Sequence, residues 1–183
     1  LAMISRFNAL LKFALTRKAN IKEYPKGLPL AGGTYFLDDV VDGTMNTLGE
    51  FKSPTLAYFH YFPPHEPYAP TAEYARAFDD GWLPPVKPNH PLSRAKHPLK
   101  FMLYCRLSYD QFLAAWDAEI GRLLDYLESS GLMDNSIVIF TSDHGEMFGA
   151  HGRRAKNIFY DEAARVPFLL RWPGRVRAGG VSD

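Results

Sequence analysis

Two adjacent residues with metal-binding side chains, Asp143 and His144, follow soon after the apolar residues 137–140, with Thr141 and Ser142 between them. A carboxylate oxygen and an imidazole nitrogen can bind the same divalent ion, and Gly145 lets the backbone adopt unusual dihedral angles just after them. Both side chains could then reach one metal. The alternative is that Asp143 caps the next segment and His144 is an ordinary loop residue, and the residues alone leave both interpretations open.

Two further groups of polar residues could act on an anion. His65 lies among the prolines of residues 63–70, where a rigidly held imidazole can donate a proton or bind an anion; the alternative is an incidental histidine in a turn. Residues 153–177 are rich in cations, which suits a negatively charged ester and is also typical of a solvated face. These cations are Arg153, Arg154, Lys156, Arg165, Arg171, Arg175 and Arg177.

Continuous apolar runs predict the strands that would position these groups. Residues 55–62 have the composition of a strand buried on both faces of a parallel sheet. Residues 137–142 predict a second buried strand, and residues 166–172 predict a further strand. The first run leads to His65 and the second to Asp143. Because ligands bind beyond the carboxyl ends of such strands, we expect these polar groups to converge at one edge of the sheet.

Two helices are predicted from the spacing of apolar residues. The first covers residues 38–50, with Asp38 as its N-cap. The second and stronger one covers residues 108–131, with Ser108 as its cap and a glycine as its C-terminal stop. Their predicted apolar faces are Val41, Met45 and Leu48 in the first helix, and Leu113, Trp116, Ile120, Leu123, Leu124 and Leu127 in the second. Helices alternating with buried strands predict an α/β domain with a mainly parallel sheet.

Three other segments are predicted to have supporting roles. In residues 70–107 the periodicity fades and prolines recur, which predicts a loop excursion that covers a site. His60 is predicted to be a hydrogen-bonded core histidine, because it lies within an apolar run. Residues 4–18 are predicted to form an amphipathic surface helix, since basic residues interrupt any signal-peptide core.

Composition limits the classes of protein that this chain can represent. A length of 183 residues with 46% hydrophobic and 22% charged residues is typical of one globular domain or a large part of one. A net charge of +1 argues against a nucleic-acid-binding surface over the whole chain. Cys105 is the single cysteine, so there is no internal disulfide. No apolar run reaches the roughly 18 residues of a transmembrane helix, and the sequence predicts no compartment.

The order and spacing of these segments resemble the catalytic domain of the sulfatase family, within the alkaline-phosphatase-like superfamily. The stretch FHYFPPHEPYAP is similar to the family's His-x-Pro segment, and SDHGE…HG…K…YDEAARVPFLLRWPG is similar to its later part. The resemblance covers residues 54–174 apart from the excursion at 70–107. It implies a sulfatase-like α/β fold and metal-dependent hydrolysis of sulfate esters, with Ca²⁺ as the expected ion and Mn²⁺ or Zn²⁺ as alternatives.

The resemblance also implies a role for each candidate site residue. By position, Asp143 and His144 correspond to two metal ligands. His65 corresponds to the residue that contacts the sulfate or protonates the leaving oxygen. Lys156 corresponds to the residue that contacts the sulfate oxygens and stabilises the leaving alkoxide, and His151 is implied as a substrate-binding residue in a more variable loop. A sulfate ester needs such cations around its oxygens and an acid at its leaving group.

Two elements of the sulfatase pattern have no convincing counterpart. One is an early Asp-Asp metal pair, which YFLDDVV only mimics, and the other is Cys/Ser-x-Pro/Ala-x-Arg, whose Cys or Ser becomes the formylglycine nucleophile. No such motif precedes His65, and Cys105 lacks the neighbouring Pro or Ala and the Arg. We therefore expect residues 1–183 to be an internal part of the catalytic domain, inactive by itself, with the nucleophile upstream and further residues beyond its C-terminus.

Two other functions stay open at this point. Phosphonate or phosphate ester hydrolases and phosphoglycerol transferases share the Asp-His pair, and a catalytically inactive sulfatase-like binding protein would share the fold. In the leading interpretation the substrate is a small-molecule or glycan sulfate ester. Its alcohol part is not identified, because residues 70–107, the expected selective surface, follow no pattern that we can interpret.

Overall fold

The computed structural model describes residues 22–27, 36–78, 81, 83, 86–93 and 97–181. The helix predicted at residues 4–18 lies outside these ranges. The regular elements, in chain order, are helix α1 (Leu37–Gly49), helix α2 (Leu99–Ser129), strand β1 (Val138–Thr141), helix α3 (Asp161–Ala164) and strand β2 (Phe168–Arg171), with 3-10 turns at Leu132–Asn135 and Ala150–Gly152. The chain divides into two compact units, Leu1–Gly81 with Cys105–Leu124, and Trp82–Tyr104 with Asp125–Asp183.

The core of the first unit lies between α1 and α2. Leu37 and Val41 are buried on one face of α1, as helical spacing requires, and they pack against apolar side chains of α2. The α2 members of this core are Phe112, Ala115 and Trp116. Complete burial of a side chain such as Phe112 contributes about 1.5–3 kcal/mol, so this contact is a main source of stability in the unit.

Both predicted helix caps are wrong, although both helices exist. The N-cap of α1 is Phe36, without a side-chain cap, and Asp38 lies in the first turn, where a carboxylate is favoured by the helix dipole. Helix α2 begins at Leu99, directly after Pro98, so Ser108 lies inside it. Ser108 is buried and accepts a hydrogen bond of 3.2 Å from Lys26 Nζ. The loop excursion predicted for residues 70–107 therefore ends before residue 99, where helix α2 begins.

The predicted apolar face of α2 is displaced in part. Trp116 is buried as expected, but Leu113 and Leu124 are both 41% exposed. The helix end is as predicted, because Gly131 has φ 74° and stands just beyond Ser129, the last helical residue. A glycine adopts this left-handed conformation at little cost, which makes it a frequent helix stop.

The apolar run at residues 55–62 is extended but is not a buried strand. It pairs with no strand among the described residues, and Leu56 and Tyr58 are 98% and 82% exposed. Its other face holds Tyr61, which contacts Trp116 with ring centroids 5.0 Å apart. His60 lies on the exposed face, so the predicted core histidine is wrong. The alternation of faces is that of a strand covered on one side only.

The second unit contains the two strands that the structure pairs. β1 and β2 are antiparallel, with Val138 opposite Arg171 and Thr141 opposite Phe168. The positions of both strands were predicted correctly, but the expected parallel sheet is not confirmed among the described residues. The burial predicted for residues 137–142 is wrong as well, since Ile139 is 57% exposed. Within the described part of the chain, no helix combines the length and the apolar character needed to cross a bilayer.

Candidate active site

One long loop, residues 142–167, carries four of the five candidate residues and is closed at its base by the strand pair. The hydroxyl of Thr141 donates a hydrogen bond of 2.9 Å to the carbonyl oxygen of Pro167 across this base. The loop also has its own small core, in which Met147 and Ala163 are buried against Tyr160. Its polar side chains are therefore attached to a packed structure rather than to a free loop.

Asp143 and His144 lie close enough to act on one ion. The Nε2 atom of His144 is 3.7 Å from Oδ2 of Asp143. The Nδ1 atom of His144 is 2.8 Å from the carbonyl oxygen of Gly145, which can only accept a hydrogen bond. In the neutral ring the proton is therefore on Nδ1 and the lone pair on Nε2, the atom nearer to Asp143. No described helix begins at Asp143, so the helix-cap alternative has no support.

A glycine is needed after the Asp-His pair because of a close backbone contact, and not because of the unusual dihedral angles that were expected. A Cβ atom at this position would lie 2.2 Å from the carbonyl oxygen of Glu162, a distance that no real contact allows. The backbone N–H of Gly145 donates a hydrogen bond of 2.8 Å to the carbonyl oxygen of Ala163. The glycine thus permits the two sides of the loop to touch directly, which fixes the backbone next to the Asp-His pair.

The donor set fits a divalent metal only in part. A carboxylate oxygen and an unprotonated imidazole nitrogen are suitable ligands. Ca²⁺, however, takes about six to eight oxygen ligands, and Zn²⁺ takes about four ligands in all. In the described ranges, no cluster of three or more His, Cys, Asp or Glu residues could hold an ion. Asp143 and His144 can therefore contribute to a metal site but cannot complete one by themselves.

His151 is held in a strained part of the loop. It has φ 53°, and Phe148, Gly149, Gly152 and Ala155 also have positive φ. Its ring stacks on Tyr160 with centroids 3.8 Å apart, and its Nδ1 lies 2.7 Å from the carbonyl oxygen of Pro88. A positive φ costs a residue other than glycine about 1–2 kcal/mol, and such residues are frequent at functional sites.

Residues 86–93, part of the excursion, are attached to this loop. The backbone N–H of His90 donates to the carbonyl oxygen of His151 at 2.9 Å, and the hydroxyl of Ser93 donates to the same oxygen at 3.2 Å. Lys87 forms an ion pair with Glu162, and its hydrogen bond lowers the pKa of that carboxyl. Several independent contacts thus hold the segment against the loop.

A pocket of about 570 Å³ lies where the two segments meet. Its basic members are His90, Arg153 and Lys156, and its apolar members are Leu92, Ile158 and Phe159, with Asn157 beside them. Lys156, a predicted substrate-binding residue, therefore lies at a cavity. His90 was not predicted as a site residue from the sequence, because no motif surrounds it and its proline-rich neighbourhood indicated only a loop.

His65 belongs to the first unit. Its ring lies 4.5 Å from that of Phe62, and its Nδ1 is 2.8 Å from the carbonyl oxygen of Glu66. As in His144 and His151, a carbonyl partner at Nδ1 leaves the lone pair of the neutral ring on Nε2. Proximity of His65 to the other four candidates stays a prediction. Cys105, rejected as a nucleophile from its sequence context, is buried within α2.

Comparison with known proteins identifies relatives of this chain. The family model described as Sulfatase matches residues 5–182. An N-acetylglucosamine-6-O-sulfatase from Bacteroides thetaiotaomicron is 42% identical over 84 residues, which make up 46% of this chain and 15% of that protein. The match thus spans a small part of the relative's length.

Solved structures show the fold. The phosphonate monoester hydrolase of Agrobacterium radiobacter is similar with a TM-score of 0.70 at 23% identity, over 90% of this chain and 41% of that one. A protein whose structure was solved in complex with its substrate D-glucosamine-2-N,6-O-disulfate is similar with a TM-score of 0.60 at 22% identity, over 80% of this chain and 45% of that one. These likenesses show that the chain shares the fold of the two proteins over the regions compared. Because the family model matches nearly every residue, the chain belongs to the sulfatase family.

Proposed function

We propose that the full-length protein hydrolyses sulfate monoesters of sugars, with the loop between β1 and β2 as part of its active site. The observation that carries this proposal is that the one loop contains both the Asp143–His144 pair and the cation Lys156 at a pocket. A metal ligand pair and a cation placed together are what the anionic ester requires.

The geometry of the Asp-His pair supports the roles proposed for a metal and its ligands. Asp143 and His144 would hold a divalent ion, most favourably Ca²⁺ by family resemblance, with Mn²⁺ or Zn²⁺ as alternatives that imidazole nitrogen suits better. When bound, the ion would supply positive charge next to the ester oxygens. The hydrogen bond from His144 Nδ1 to the carbonyl oxygen of Gly145 would keep Nε2 oriented as a ligand.

The remaining candidates act on the ester itself. In the overall reaction water cleaves the bond between sulfur and the alcohol oxygen, giving sulfate and the free alcohol. Lys156 stabilises the negative charge that builds on the leaving oxygen, and His65 donates a proton to that oxygen from Nε2 when its ring is protonated. His151, fixed by Tyr160, donates a hydrogen bond from Nε2 to a sulfate oxygen when its ring is protonated. The nucleophile, formylglycine by resemblance, would belong to another part of the protein.

Sugars are the substrate class that the comparisons favour. One relative is named for removal of a 6-O-sulfate from N-acetylglucosamine, and one similar structure contains a disulfated glucosamine. The pocket volume of about 570 Å³ is in the range of about 300–1,000 Å³ that small-molecule sites occupy. A monosaccharide with its sulfate would therefore fit.

Phosphonate or phosphate ester hydrolysis is the second candidate function. It is favoured by the likeness to a phosphonate monoester hydrolase over 90% of this chain. At 23% identity that likeness shows the fold alone, whereas the sulfatase relative is 42% identical over the segment that it shares. The sulfate ester is therefore the preferred substrate in this proposal.

A substrate comparison tests the proposal. The full-length protein is assayed with p-nitrophenyl sulfate, p-nitrophenyl phosphate and a p-nitrophenyl phosphonate monoester, which share one leaving group. We expect kcat/KM for the sulfate to exceed the other two by at least about tenfold. A preference for the phosphonate or phosphate would establish the second candidate. Binding of sulfated sugars with no turnover of any ester would indicate an inactive binding protein.

A further inference from the structure

We infer that the pocket at residues 86–93 and 153–159 binds a second acidic group of the substrate, such as a further sulfate or a carboxylate. This inference rests on the proposed function, because it assigns Lys156 to the ester that is cleaved. The feature that points to it is a pair of donors, His90 and Arg153, on the wall of the same cavity. A cavity of about 570 Å³ has room for a sugar that carries a second acidic group beside the ester that is cleaved.

Arg153 is available for an anionic ligand. It is half-buried, and no described carboxylate lies within ion-pair distance of its guanidinium. Arg106 and Arg122, in contrast, both have carboxylate partners at 2.5–2.6 Å. A guanidinium forms two parallel hydrogen bonds with a sulfate or carboxylate, and partial removal from water strengthens them.

His90 offers a hydrogen-bond donor where the other site histidines offer an acceptor. The backbone N–H of Leu92 donates to Nδ1 of His90 at 3.1 Å, so the proton of the neutral ring is on Nε2. The ring is positioned by an edge contact with Tyr160 at 5.9 Å and by the backbone hydrogen bond to His151. The pocket therefore presents an N–H donor even when His90 is uncharged, which suits an anion and not a cation.

The apolar side of the pocket suits the sugar that would carry both groups. Leu92 and Phe159 are 73% and 100% exposed, so each can cover the C–H face of a sugar ring. The pocket would thus contact an apolar ring face on one side and an acidic substituent on the other. A monosaccharide with two acidic groups matches a pocket that is apolar on one side and basic on the other.

The test compares two sugars that differ in one acidic group. The full-length protein and its Arg153→Ala, Arg153→Gln and Arg154→Ala variants are assayed with D-glucosamine-2-N,6-O-disulfate and with N-acetylglucosamine 6-sulfate. Arg154 is the matched control, because it is the adjacent cation and lies over the ring of Phe101 at 5.4 Å. Both Arg153 changes should raise KM for the disulfate about tenfold more than KM for the monosulfate. Arg154→Ala should leave that ratio within about twofold.

A binding measurement keeps this test separate from the test of the activity. Dissociation constants for both sugars are measured by calorimetry in a Lys156→Ala background, with and without Arg153→Ala. If the wild-type protein releases sulfate from neither sugar, the proposed function fails, while the binding ratio still decides the role of the pocket. The inference would be overturned if Arg153→Ala weakened the binding of both sugars equally, or if the Arg153 and Arg154 variants had equal effects. Either result would indicate a diffuse attraction between the basic loop and an anionic sugar.

Discussion

Replacement of Gly145 by alanine should disturb the Asp-His pair without removing any functional side chain. The added Cβ would stand 2.2 Å from the carbonyl oxygen of Glu162 and 3.1 Å from its carbonyl carbon. Ordinary contacts of this type begin near 3.4 Å, so one side of the loop has to move by about 1 Å. That movement would also break the 2.8 Å hydrogen bond from Gly145 N–H to Ala163.

The expected cost follows from these two effects. Overpacking of a close contact costs about 1–3 kcal/mol, and loss of a backbone hydrogen bond adds about 0.5–1.5 kcal/mol. We therefore expect Gly145→Ala to lower the free energy of unfolding by about 2–4 kcal/mol. Because Asp143 and His144 share this backbone, we also expect the protein to retain less divalent metal.

Urea unfolding and metal analysis of the full-length protein measure both effects. Gly121→Ala is the matched control, because Gly121 lies inside α2 and a Cβ there would meet nothing within 4 Å. That control should be neutral or should stabilise by up to about 1 kcal/mol. Equal stability and equal metal content in the Gly145→Ala and wild-type proteins would refute the reasoning.

Three further predictions concern the same loop. Asp143→Ala should lower metal content and activity together, because the ion loses a charged ligand; full metal occupancy in this variant would rule out the assigned role. Gly152→Ala should raise KM, because the new Cβ would lie 2.7 Å from Asn89 Oδ1, at φ 65°, and would push residues 86–93 away from the pocket; an unchanged KM would show that this contact does not shape the pocket. The pKa of Glu162 is lowered by Lys87, so their ion pair stabilises the fold above the unfolded-state value of 4.5 and is lost as pH falls through the lower folded-state value. The stability difference between wild type and Glu162→Gln, worth about 0–1 kcal/mol at pH 7, should shrink progressively as the pH falls below 4.5, and a difference that stayed constant with falling pH would contradict this assignment.

Local patterns predicted the helices and the positions of the strands. The spacing of apolar residues identified both helices, and Gly131 marked the end of α2, because these signals depend on neighbouring residues only. The caps at Asp38 and Ser108 were wrong because a cap depends on where the helix begins. Pro98, upstream of the predicted start, placed that beginning at Leu99.

Features that depend on contacts between distant parts of the chain could not be predicted from the sequence. Apolar composition identified residues 138–141 and 168–171 as strands, but pairing direction depends on which strand lies alongside, and the structure pairs them antiparallel. For the site, Asp143, His144 and Lys156 were identified as candidates through their order and spacing. His90 was not, because only the folded loop brings it to the pocket, and no local pattern records that contact.

Sulfate release by the full-length protein and its Lys156→Ala variant tests the central claim most directly. Free sulfate from N-acetylglucosamine 6-sulfate is measured by ion chromatography, with Arg154→Ala as the control for charge and bound metal determined in each sample. We expect Lys156→Ala to lower kcat at least about a hundredfold with metal content unchanged, because a contact to the developing charge is lost. Arg154→Ala should stay within about tenfold of wild type and act mainly through KM. Equal losses in the two variants, or no sulfate release by the wild-type protein, would contradict the account.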